Sequence, residues 1–161
     1  MRQASPNGSP DWPRPGSVDP VEIYNWRRLD ARLTTSGQPT EPQLSEIAAL
    51  GVACVINLGL HSHEKALRDE AGSLARLGLR YVPIPVDFKN PTEADFDAFC
   101  AAMKASLGGP LHVHCIANYR VSAFIYRYRR DVLGMAPTEI WPDVIAIWQP
   151  DEVWTNFIMP T

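Results

Sequence analysis

A chain of 161 residues that is 45% hydrophobic and 20% charged can bury one sizeable core, which excludes a disordered or fibrous protein. The net charge of −3 argues against general nucleic-acid binding, and no apolar run approaches the ~18 residues of a membrane span. Cys54, Cys100 and Cys115 are odd in number and lack CxxC spacing, so they predict free thiols, and with no apolar leader in view the expected location is the cytoplasm.

Residues 1–20 hold five prolines among Gly, Ser and Asn and read as a flexible tail, with a single domain over 21–161. Residues 32–36 suit a short strand, and Gly37 to Thr40 a turn. Thr40 with Gln43 forms a capping-box pattern for a helix to Leu50 that turns Leu44, Ile47, Ala48 and Leu50 inward and stops at Gly51. Residues 52–56 are continuously apolar and β-branched, the mark of a strand buried on both faces. A helix is expected over 64–77, with Leu67, Ala71, Leu74 and Leu77 at helical spacing, then an extended segment over 80–86 that contains two prolines. Thr92 caps a helix over 93–106 that buries Phe96, Phe99, Cys100 and Met103. Residues 111–114 form a last strand and 120–133 a helix. One or two further helices are expected over 137–158, broken at Pro142 and Pro150. Strands alternating with helices predict an α/β fold, with a mainly parallel central sheet of four to five strands flanked by helices. Ligands in such sheets bind beyond the carboxyl ends of the strands, where both Cys115 and Asp87 fall.

The stretch from Pro110 to Phe124 carries the strongest chemical signal. A cysteine between a strand end and a helix N-terminus faces converging N–H groups and the positive end of the helix dipole, which favours a thiolate and can hold an oxyanion. Arg120 adds a planar fork of donors for two oxygens of that anion. Together they suggest phosphoryl transfer through a cysteine. Cys115 would attack phosphorus and carry it covalently. The N–H groups of Ile116, Ala117, Asn118, Tyr119 and Arg120 would hold the equatorial oxygens, and an acid would protonate the leaving oxygen. Asn118 suits the tight turn because asparagine tolerates left-handed backbone. The bland alternative is a buried cysteine acting as a small hydrophobe.

His114-Cys115-x4-Arg120 resembles the phosphate-binding loop of the cysteine-dependent protein tyrosine phosphatase superfamily, with four intervening residues in place of the usual five. It resembles more closely the bacterial phosphatase-like branch related to the N-terminal domain of β-lactamase-hydrolase-like proteins. That branch has a shortened loop and an early signature matched here by Ser36-Gly37-Gln38-Pro39-Thr40 and then Val55-Ile56-Asn57-Leu58. The resemblance spans roughly residues 22–158 and implies a protein-tyrosine-phosphatase-like fold, a phosphorylated protein or small molecule as partner, and no metal or other cofactor. Two positions depart from the usual pattern: Asn118 replaces the loop glycine, and Val121 precedes Ser122 where a hydroxyl normally follows the arginine directly.

Asp87, 28 residues before Cys115, is the leading candidate for the general acid, with Glu93 and Asp95 behind it in the first turn of a helix. The resembling phosphatases place their acid on a loop in this region. His112 and His114 share one strand face. His114 is expected to hold backbone near the loop and to favour the Cys115 thiolate, and His112 to be a core residue. His61 and His63 could join them in a zinc site, but a metal would occupy the thiolate that this loop pattern is expected to expose; His63 and Lys65 suit the substrate mouth instead. Arg127, Arg129 and Arg130 read as a solvated helix face, and Trp141, Trp148 and Trp154 as packing anchors. The leading function is a cysteine phosphatase. The alternatives are a rhodanese-like sulfurtransferase, whose six-residue loop carries a persulfide, and a phosphate-binding module with faded chemistry.

Overall fold

The computed structural model describes residues 12–14 and 16–159. Five strands form one sheet in the order β1-β2-β5-β3-β4: β1 (Arg27–Arg28), β2 (Leu33–Ser36), β3 (Cys54–Asn57), β4 (Arg80–Pro83) and β5 (Leu111–His114). Only β1 runs antiparallel, paired with β2; the β2·β5, β5·β3 and β3·β4 pairs are parallel. The helices are α1 (Glu41–Ala49), α2 (Glu70–Arg76), α3 (Glu93–Ala105), α4 (Tyr119–Asp131), α5 (Pro137–Ile145) and α6 (Glu152–Ile158).

The period-two geometry of the strands divides the core between two faces. Val55 of β3 joins Leu44, Ile47 and Leu74 of α1 and α2 in one cluster. Cys54 and Ile56 join Leu111, Val113 and the aromatic residues of α3, α4 and α6 in the other. The predicted α/β architecture is therefore present, and β5 lies at its centre, so Cys115 emerges from the most enclosed strand.

The capping boxes at Thr40 and Thr92 form, and Gly51 follows α1 in the left-handed region at φ 94°. Four expectations are corrected. The helix expected over 64–77 is reduced to α2, because the Asp69 side chain accepts from Gly72 N–H and caps the helix there. Residues 59–69 become an irregular crossing, and Leu77 and Ala71 stay exposed. The strand expected over 80–86 pairs only to Pro83, although Ile84 and Val86 N–H groups still reach Asn57 and Leu58 carbonyls on either side of Pro85, which has no N–H. Pro142 does not break α5: it sits on the exposed face, where the carbonyl it leaves unpaired can meet water. The basic residues of α4 are not a solvated face. Arg127 is 7% exposed, lies 4.2 Å over the Phe96 ring and pairs with Glu93 at 2.7 Å, while Arg129 pairs with Asp143 and Arg130 donates to the Ile158 carbonyl. They tie α4 to α3, α5 and α6. The expected tail falls mostly outside the described residues. Within it, Arg14 N–H donates to the Leu50 carbonyl and Asp19 pairs with Arg28 at 2.7 Å, so ordered contacts begin before Val21.

Candidate active site

The loop after β5 is held by its carbonyls. His114 Nδ1 lies 3.1 Å from the Cys115 oxygen, Gln38 N–H donates to Ile116 O at 3.0 Å, and Asn25 Nδ2 donates to Ala117 O at 2.9 Å. In a planar trans peptide the N–H points opposite to its C=O. Three successive outward carbonyls therefore turn the N–H groups of Ile116, Ala117 and Asn118 toward the inside of the loop. Asn118 takes the left-handed conformation at φ 69° and gives no side-chain cap, so the α4 N-terminus keeps its dipole and its first-turn donors for an anion. The Asn118 amide instead donates to Asn25 O and Thr35 Oγ1, which completes a reciprocal clamp with Asn25.

Gly37 is where the clamp is tightest. Its N–H donates to Tyr24 O at 2.7 Å, and a Cβ there would lie 2.5 Å from the Ile116 carbonyl and 2.9 Å from the Tyr24 ring. The loop carbonyl cannot retreat without losing Gln38. Gly37→Ala is therefore expected to destabilise the fold by about 1–3 kcal/mol, and to lower phosphate affinity with it, read by denaturant titration with and without phosphate.

The two histidines of β5 have different partners. His112 is fully buried between Thr34 Oγ1 at 2.8 Å and Ser36 Oγ at 2.9 Å, and stacks on Trp26. Ser36 donates its own proton to Gly37 O, so His112 Nε2 must be the donor and Nδ1 the acceptor of a neutral ring. Burial, with the charge of His114 beside it, holds His112 well below the usual imidazole range. His114 faces acceptors on both sides: the Cys115 carbonyl at Nδ1, and Glu70 Oε2 at 2.6 Å from Nε2. Burial alone would raise the Glu70 carboxyl, but the hydrogen bond and charge of His114, with the Gln38 amide, hold it below the usual glutamate value. The Glu70 carboxylate and the Cys115 carbonyl thus grip the His114 ring from both sides, which fixes it against the start of the loop one residue from Cys115.

Cys115 is 0% exposed and Arg120 6% exposed. Arg120 Nη1 donates to the Val86 carbonyl at 3.0 Å, its Nε is buried without a protein partner, and its guanidinium carbon lies 5.8 Å from the centre of the Phe88 ring. Those contacts bring Val86 and Phe88, the two neighbours of Asp87, against the arginine. Asp87 itself is exposed and accepts from Lys89 N–H at 2.9 Å; it has none of the partial burial expected of an acid. The runners-up are otherwise engaged, Glu93 with Arg127 and Asp95 in the Thr92 capping box. The Ser122 hydroxyl donates to Tyr119 O and accepts from Trp148 Nε1, and Tyr119 stacks on Trp148 at 4.4 Å. A cavity of about 290 Å3 lined by Tyr24, Gln38, Lys65, Leu67 and Ile116 is walled by the segments after β2 and β3, the two strands that flank β5. Among the described residues no cluster of three or more His, Cys, Asp or Glu side chains could hold a metal ion, and no helix is long and apolar enough to cross a membrane.

Residues 11–141 match the model of the family described as DSP-PTPase phosphatase fused to NAD+ kinase. The chain belongs to this family. This protein-tyrosine-phosphatase-like family membership agrees with the resemblance carried by the 36–40 signature and the shortened loop. A β-lactamase hydrolase-like protein of Xylella fastidiosa (strain Temecula1 / ATCC 700964) is 34% identical over 95 residues, which is 57% of this chain but only 22% of that relative's length. A DUF442 phosphatase-type protein from Shewanella putrefaciens CN-32 superposes with a TM-score of 0.76 at 34% identity, covering 86% of this chain and 91% of that one. P. aeruginosa TpbA, solved as a cysteine-to-serine form in complex with phosphotyrosine, shares the fold at a TM-score of 0.70 and 18% identity, covering 92% of each chain.

Within this family member, Glu70 and Asn25 touch His114 and the loop and were not marked by the sequence, while Trp148 and Trp154, read there as packing anchors, reach Ser122, Tyr119 and the Phe88 carbonyl. Gln38 was at least inside the 36–40 signature. Asn25, just before the unpredicted strand β1, adopts positive φ as Asn118 does, at 52°.

Proposed function

We propose that the protein hydrolyses a phosphomonoester through a phosphocysteine on Cys115. The observation that carries this reading is the set of three outward-tied carbonyls, because they aim consecutive N–H groups at one point beside a cysteine, a helix N-terminus and Arg120. Cys115 attacks phosphorus in line with the leaving oxygen. The loop N–H groups and Arg120 take the charge on the equatorial oxygens. Asp87 protonates the leaving oxygen, then takes a proton from the water that cleaves the phosphorus–sulfur bond, which releases phosphate and returns Cys115 as the thiolate with Asp87 protonated again. The organic group extends into the cavity floored by Ile116. A phosphotyrosine-type ring fits its Tyr24 and Leu67 walls, and Lys65, 5.7 Å from the Tyr24 ring centre, adds a positive charge at its rim.

The same burial that makes the cradle enclosed also defines the main competitor, a binding module in which a sealed thiol never reacts. Turnover of para-nitrophenyl phosphate, together with a phosphoenzyme trapped by acid quench, is the expected result. Thiosulfate-to-cyanide sulfur transfer without phosphatase turnover would replace this reading with the sulfurtransferase. Vanadate binding without turnover would replace it with the binding module.

A further inference from the structure

The segment between α5 and α6 reaches both halves of the candidate site. Trp154 is fully buried and its Nε1 donates to the Phe88 carbonyl at 2.8 Å, one residue from Asp87. Trp148 stacks on Tyr119 of the phosphate loop with rings 2° from parallel, and its Nε1 donates to Ser122 Oγ, whose hydroxyl closes back on Tyr119 O. Between them the Phe88 ring packs 5.6 Å from Trp154, 5.8 Å from Trp148 and 6.3 Å from Tyr119. Asp151 caps α6 by accepting from Trp154 N–H, so the indole is held at a helix start rather than on a free loop.

We infer that Trp148 and Trp154 are positioning residues, a clasp that fixes the Asp87 segment against the phosphate loop. A sequence carrying the acid on the turn-rich stretch Asp87-Phe88-Lys89-Asn90-Pro91 would otherwise leave it mobile. Here one indole N–H holds the backbone beside the acid and another holds the hydroxyl beside the loop. The spacing of acid and thiolate is thus set from a segment with no contact to substrate. Misplacing an acid by about 1 Å can slow proton transfer strongly while leaving phosphate binding intact.

This inference rests on Asp87 being the acid, so its test separates the two. Trp154→Phe keeps the ring and removes only the N–H donor. The full chain is assayed on phenyl phosphate, whose leaving group needs a proton, and on para-nitrophenyl phosphate, whose leaving group hardly does. Asp87→Asn is expected to slow phenyl phosphate far more than the nitrophenyl ester. Trp154→Phe is expected to lower kcat on phenyl phosphate by roughly tenfold, with KM little changed and the nitrophenyl ester nearly spared. In the Asp87→Asn background it is expected to add almost nothing. Trp148→Phe, which keeps the stack on Tyr119 and loses the bond to Ser122, gives the same selectivity and serves if the first variant folds poorly. If Asp87→Asn is selective but both tryptophan variants slow the two esters equally, or not at all, the clasp is overturned and the acid stands. If Asp87→Asn is itself unselective, the acid assignment falls and the clasp with it.

Discussion

Cys115→Ser is expected to lower phosphatase turnover by about four orders of magnitude or more while phosphate and vanadate still bind. A serine hydroxyl ionises far less readily than a thiol, so loop N–H groups that suffice for a sulfur nucleophile cannot supply an alkoxide. The anion cradle, by contrast, is built from main chain. The outward carbonyls of Cys115, Ile116 and Ala117 keep their partners His114, Gln38 and Asn25 whatever side chain follows β5. Binding and chemistry therefore separate in this variant. Because the side chain lies in the apolar cluster of α3, α4 and α6, the hydroxyl should also cost about 1–3 kcal/mol of stability unless it finds an acceptor. Phosphate binding by calorimetry, single-turnover kinetics and thermal unfolding check the three parts. Equal turnover by wild type and Cys115→Ser would remove the covalent mechanism. The same sulfur gives a check without mutation: iodoacetate should inactivate the wild type faster than it alkylates free cysteine at neutral pH, and phosphate should protect.

What could be read from sequence follows the range of the interaction. The strands, the capping boxes and the loop between β5 and α4 are set by residues a few positions apart, and they stand nearly where the pattern puts them. The failures are long-range. Glu70 meets His114 across 44 residues, Asn25 meets Ala117 across 92, and Trp154 meets Phe88 across 66. Helical spacing around residues 64–77 hid Glu70 inside an expected helix, when Asp69 is the cap that places it first in α2 and against β5. Arg127 misled for a similar reason. A charge run on a helix reads as solvated unless one knows that Phe96, Phe157 and Glu93 await it. The resemblance, resting on two short motifs in order, reached the fold and family because both motifs lie at adjacent strand ends; it was silent on the supports behind them.

The second large effect belongs to one of those supports. Glu70→Ala is expected to destabilise the protein by about 1–3 kcal/mol at neutral pH, since it leaves the buried His114 ring and the Gln38 amide without their shared partner, and Glu70→Gln by less. The glutamine keeps the shape and the bond to Gln38 but loses the carboxylate that lies 2.6 Å from His114 Nε2. The ring that also meets the Cys115 carbonyl is then held less firmly, and the loop with it. Turnover in Glu70→Gln should fall roughly tenfold even where the fold is intact. The pH dependence has a definite sign. Glu70 sits below its ordinary value in the folded state, so its contribution to stability is fully present above the unfolded glutamate range near pH ~4 and is lost as pH falls through the depressed folded value. Below the imidazole range, the stability gap between wild type and Glu70→Gln, measured by denaturant titration, should therefore narrow as pH falls further into acid. A gap that instead widened over that acid range would mean that the folded protein holds the carboxyl protonated, so that no ionised Glu70 faces His114.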